Sequence, residues 1–268
     1  MKYLISLLFV FCFLFAIDSY AQSGRNVEFF KDTEAFELAK AVNSENLKRI
    51  EKLVKENPRL LSVTSSSGSN VLVLSIYIDK YKSFKKLLEL GAEPNFITPD
   101  SKYSVLIHAC KIFDKGPKPL FDNRYAALLL EYGADPEYAL EEDFTNDKGI
   151  TSMATSPLMR AARLDLELVK LLIKYGANPY KPLGKTSRTP FSQAVSSNRF
   201  EIIYYFIDEL KIDVHQPLAI RENGNLYVQD FIKKFMNYIP STAGDEKKQE
   251  LIKHLEARGI DFKNYDYK

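Results

Sequence analysis

Between residues 166 and 175 the chain reads LELVKLLIKY, which sets Leu168, Leu171 and Leu172 on one stripe of a helix. The pattern breaks at Gly176, Ala177, Asn178 and Pro179. Glycine there takes the left-handed conformation that ends a helix, and the proline beyond it forbids continuation. The same ending is written as LLELGAEPN at 87–95 and as LLLEYGADPEY at 128–138. Ahead of these stops lie shorter apolar phrases with small residues on one side: SNVLVLS from 69, SVLIHAC from 104, SPLMRAA from 156 and, further on, TPFSQAV from 189. Each predicts a short helix capped by Ser69, Ser104, Ser156 or Thr189, with proline in the first turn of the last two.

Ser156 and Thr189 stand 33 positions apart, Ser69 and Ser104 stand 35 apart, and Ser104 and Ser156 stand 52 apart. A base unit of 33 with insertions accounts for all three intervals. A helix pair of this length cannot close a core alone, so its copies must stack. The flanks carry worn copies. Ala35, Leu38, Ala39 and Val42, then Leu47, Ile50, Leu53 and Val54, hold helical spacing at one end. At the other end, NLYVQDFIKKFM and DEKKQELIKHLEARGIDF form a pair in which Gly259 repeats the stop.

These phrases resemble the ankyrin repeat, whose unit is a capped Thr-Pro-Leu-His-x-Ala-Ala helix, a turn, a Val-x-x-Leu-Leu helix, Gly-Ala-Asp/Asn and a hairpin finger. TPFSQAVSSNRFEIIYYFI at 189–207 follows that frame without a gap, with Asn198 in the inter-helix glycine slot. Departures are Met159 and Ser192 in place of the family histidine, and Asp165 in the turn-glycine slot of a copy one residue short. The resemblance implies an all-α ankyrin repeat solenoid of about six helix-turn-helix repeats with hairpin loops. The chain is expected to divide into a signal peptide at 1–21, a linker at 22–31, the repeat domain at 32–263 and a tail at 264–268.

In that family, partner contacts come chiefly from finger tips and the exposed slots of the inner helices. Those slots hold His108 and Lys111, Arg160 and Arg163, and Gln193 and Ser196, while Phe96, Tyr138 and Tyr180 follow the helix stops at the base of the fingers. Such aromatics either anchor a partner or pack finger on finger. Arg160 and Arg163 share one inner-helix face, next in the stack to His108 and Lys111 and followed by an acidic finger, which suits a carboxylate-rich partner. Gly184 falls at a finger tip and is expected to tolerate substitution better than the helix stop Gly176.

Two insertions depart from the 33-residue unit. One lengthens an inter-helix turn around residues 114–123, and the other, near 137–150, lengthens the finger after Gly133. Long loops in compact repeats are mobile or used.

Composition places the chain among folded proteins, with 46% apolar and 27% charged residues in 268. Lys2, an apolar run from Tyr3 to Ile17, and small residues Ser19 and Ala21 before a cut have the layout of a secretory signal peptide, so a periplasmic or secreted protein cleaved after Ala21 is expected. Removing that segment leaves the formal charge at +2, which points away from nucleic acid and from anionic membranes as partners. Cys110 alone survives cleavage, so no disulfide staples the domain. Bulky Phe11 before Cys12 argues against a lipid anchor.

Candidate chemistry is sparse. His108, His215 and His254 fall in no metal-ligand spacing, and Cys110 occupies a small apolar slot. Gly184, Lys185 and Thr186 resemble the tail of a phosphate loop, but Pro179 stands where its leading glycine is required. Glu141, Glu142 and Asp143 lack the alternating ligands of a calcium loop. No catalytic residue, metal or cofactor is expected. The expected activity is protein binding by a monomer, as scaffold or inhibitor. The alternatives are a toxin-neutralising, immunity-type partner and an accessory domain of an envelope enzyme.

Overall fold

The computed structural model describes residues 26–113 and 120–268. The expected signal peptide at 1–21, the first part of the expected linker and residues 114–119 of the first insertion lie outside the described residues. Among the described residues, six helix pairs follow one another. They are α1 (Phe36–Asn43) with α2 (Leu47–Glu56), α3 (Val71–Tyr77) with α4 (Tyr81–Glu89), and α5 (Val105–Ala109) with α6 (Arg124–Glu131). Then come α7 (Pro157–Ala161) with α8 (Leu166–Lys174), α9 (Pro190–Ser196) with α10 (Phe200–Tyr204), and α11 (Val228–Phe235) with α12 (Ala243–Glu256).

Local chemistry sets many of the boundaries. Ser156 accepts from the Met159 N–H at 3.2 Å, and Thr189 and Ser192 form a reciprocal capping box. The cap of α3 is Asn70, one residue beyond the expected Ser69; its amide oxygen accepts from the Val73 N–H at 3.0 Å. Helix stops repeat to the bond. The N–H of Ala92, Ala134, Ala177 and Ile260 each reaches back five residues, to Leu87, Leu129, Leu172 and Leu255, across a glycine of positive φ.

The inter-helix turns repeat as well. Glu45, Asp79 and Asn198 are left-handed, and Asn46, Lys80 and Arg199 donate five residues back to Ala41, Ser75 and Ala194. The copy that is one residue short solves the turn differently. Asp165 has an extended backbone (φ −150°) and caps α8, its carboxylate accepting from the Leu168 N–H at 2.9 Å. The fifth pair has no glycine stop. Its second helix widens into a π turn over Tyr205–Glu209 and ends at left-handed Lys211.

Four single antiparallel bridges close the fingers: Ile97 with Ser104, Leu140 with Thr155, Leu183 with Arg188, and Ala219 with Leu226. Both insertions carry two-residue strands. β1 (Ile112–Phe113) pairs with β2 (Leu120–Phe121) in the first, and β3 (Phe144–Thr145) pairs with β4 (Thr151–Ser152) in the long finger. Asp143 braces that finger by accepting from the Ala154 N–H at 2.7 Å.

The chain forms two compact units. Among the described residues, the first comprises 26–109 together with Ala127–Ala134, and the second comprises 110–113 and 120–126 with Asp135–Lys268. In the first, Leu38, Val42, Ile50, Leu72, Ile76, Phe84 and Leu87 are fully buried. Val27–Phe30, inside the segment read as a linker, is a 3-10 helix that buries Phe30. In the second unit the core runs through Leu158, Leu168, Val169, Leu172, Phe191, Val195, Ile203, Phe206 and Leu251. The C-terminal residues dock on α11. Buried Asp230 accepts from the Tyr265 hydroxyl at 2.5 Å and the Lys268 N–H at 2.9 Å, besides the Tyr227 N–H.

Candidate functional site

The nine expected partner-binding residues divide sharply by accessibility. His108 does not face solvent. It is 4% exposed, its Nδ1 lies 2.7 Å from the Tyr77 hydroxyl and its Nε2 lies 3.2 Å from Thr98 Oγ1. The rings of Tyr77 and Tyr103 meet it edge-on. The finger at 97–104 folds over this slot, so His108 ties a finger to its helix instead of meeting a partner.

Gln193 is corrected in the same way. It is buried, because α9 packs against α7 on one side and α11 on the other. Ser196 is half-buried and spends its hydroxyl on the Gln193 carbonyl at 3.1 Å. Lys111, Phe96 and Tyr138 are half-buried, and burial raises the pKa of the Tyr138 phenol. Tyr180 is open to solvent and still packs on its neighbour. It is 56% exposed, yet its hydroxyl donates to the Leu210 carbonyl at 2.8 Å and so pins the finger to the end of the next helix pair.

Arg160 and Arg163 remain accessible to different degrees. Arg160 lies in α7 and Arg163 in the turn that follows it, and the first is half-buried while the second is exposed. Two further arginines join them. Arg199 donates from Nε to the Arg163 carbonyl at 2.6 Å. Arg188 closes the finger bridge with Leu183 immediately before the cap of α9. Although Arg163 as a whole is exposed, loss of hydration at its charged end lowers its pKa, followed by the positive charges of Arg160, Arg188 and Arg199. Periodicity could not find this group. Arg188 belongs to a finger and Arg199 to a turn, and only packing of α9 on α7 brings them to the same place.

Cys110 is buried, and desolvation pushes its thiol up to about 12. Being raised in the fold above the roughly 8.5 of a free thiol, this group favours the folded state below that pH, and the contribution is lost as pH climbs towards the folded value. Iodoacetamide at mildly alkaline pH is therefore expected to spare Cys110 in the native protein and to label it after denaturation. Mass spectrometry reads the outcome, and rapid native labelling would contradict the burial. Among the described residues no group of three or more His, Cys, Asp or Glu side chains converges as a metal site.

Residues 158–207, which span α7 to the π turn, match the family model for ankyrin repeats in many copies. An ankyrin repeat-containing protein of Treponema pallidum (strain Nichols) is 29% identical over 119 residues, 44% of this chain and 34% of that protein. The chain thus spans about a third of that relative's length. In three dimensions, the crystal structure of the human ASB11 ankyrin repeat domain superposes with a TM-score of 0.57 at 16% identity, covering 85% of this chain and 86% of that one. That likeness is one of fold. The repeated stops and turns, the family model and the relative agree with it: the chain has the fold of an ankyrin repeat domain, and residues 158–207 match ankyrin repeats in sequence.

Proposed function

We propose that this chain is a non-enzymatic protein-binding module, a scaffold or inhibitor, which acts in the bacterial envelope or outside the cell after removal of residues 1–21. Ankyrin repeats are protein–protein interaction modules. The observation that carries the reading here is the division of side chains in the second unit. Cys110, the one thiol among the described residues, is sealed in the core, whereas Arg163 and Tyr180 stand in solvent. Arginine and tyrosine are the side chains that most often anchor protein interfaces.

Residues 22–268, used as bait in an envelope extract, are expected to retain a protein partner. Arg160→Ala combined with Arg163→Ala should weaken that complex by about 2 kcal/mol or more, roughly thirtyfold, with no loss of melting temperature. An affinity unchanged by those substitutions but abolished by deleting 137–150 would transfer recognition to the long finger. Detection of Met1 in the exported protein by mass spectrometry would overturn the cleavage.

A further inference from the structure

Arg163, Arg188 and Arg199 of the second unit have an electrostatic need that the fold leaves open. The positive charges of Arg160, Arg188 and Arg199 all bear on Arg163, and the Arg199 side chain lies against the Arg163 carbonyl, a like-charge arrangement that by itself raises the free energy of the chain. Among the described residues no carboxylate forms an ion pair with Arg163, Arg188 or Arg199. The Nε of Arg188 is buried without a hydrogen-bond acceptor. Yet the surroundings hold the group in place. Arg199 is tied to the Arg163 carbonyl, and Arg188 is fixed by two backbone bonds with Leu183, at 2.8 and 3.0 Å.

The neighbouring finger is acidic, and its carboxylates are directed elsewhere. Glu141 pairs with Lys181 at 2.8 Å, while Asp143 accepts from its own finger. The Glu141 carbonyl accepts from the Gly184 N–H at 2.9 Å, which sets this acidic edge beside the finger that carries Arg188. A polyanion of uniform charge such as nucleic acid would meet the exposed Glu141, Glu142 and Asp143 as well as the arginines. A protein segment has no such conflict, because its acidic run can be confined to the few residues that face the arginines.

We propose that Arg160, Arg163, Arg188 and Arg199 form one docking site for an acidic segment of a partner protein, whose carboxylates meet the guanidinium forks of Arg163, Arg188 and Arg199. The site narrows the protein-binding function proposed above and rests on it. Carboxylates fit because each guanidinium can present two parallel N–H donors to one.

A fluorescein-labelled peptide with four consecutive glutamates flanked by glycines and serines tests the site by anisotropy at roughly 0.15 M salt, where long-range attraction is screened. Arg163→Gln with Arg188→Gln is expected to weaken binding about tenfold or more, whereas Lys247→Gln with Lys248→Gln, which removes the same charge from α12, should leave it unchanged. Arg163→Gln alone, at an exposed position, keeps the comparison meaningful if the double variant fails to fold, and about a threefold loss is expected from it. Equal losses in the arginine and lysine variants, or no binding at all, would overturn the site. Oligodeoxythymidine of the same charge binding as tightly, and lost in the same variants, would replace it with a general polyanion site. If the glutamate peptide fails to bind while the chain still captures a protein partner, the arginine site falls and the protein-binding function stands.

Discussion

Leu172→Ala is expected to lower the stability of the protein by about 2 to 5 kcal/mol, the usual cost of emptying a leucine site in a packed core. Leu172 has no exposed surface, and its carbonyl also receives the Ala177 N–H that closes the helix stop. Leu171, its neighbour in the expected stripe, is only half-buried. Leu171→Ala should therefore cost less than half as much, because part of that side chain already touches water in the fold. The stripe that faces the core is Leu168, Val169 and Leu172. Urea unfolding followed by circular dichroism measures both variants, and equal losses would show that α8 is rotated from the orientation described.

Gly184→Val is expected to cost about 2 to 5 kcal/mol, combining the strain of a left-handed non-glycine residue with overpacking. The sequence suggested the reverse ranking, with the finger tip as the tolerant site and Gly176 as the sensitive one. Both glycines are left-handed, with φ of +73° at Gly184 and +101° at Gly176. They differ in what surrounds them. A Cβ at Gly184 would stand 3.2 Å from the Ala154 Cβ, whereas one at Gly176 would meet nothing within 4 Å. Gly176→Val should then carry the backbone strain alone, about 1 to 2 kcal/mol. A melting temperature that falls further for Gly176→Val than for Gly184→Val would show that the fingers are not packed as described.

These two cases separate what each level of structure decides. Helix stops were legible because glycine, the leucines one turn before it and the following proline act within a single turn of chain. The inter-helix turns were legible where a residue such as Asn198 tolerates positive φ. Asp165 was placed correctly in the turn but not in its role, since a copy one residue short turns the same side chain into a helix cap. Family slots assign a residue to a position in the repeat, but the depth of a slot depends on which neighbour covers it. His108 and Gln193 were assigned to open slots and are closed, one by Tyr77 and a finger, the other by helices on both sides.

By itself the sequence determined the period of the repeat, the six helix pairs and the ends of most helices, because those follow from hydrogen bonds and backbone preferences within a few residues. Only the tertiary structure decided which leucines reach the core, that Gly184 lies against Ala154, and that Arg188 and Arg199 join Arg160 and Arg163. Burial and charge proximity are properties of residues distant in sequence, and no local pattern records which distant side chain will be packed against which.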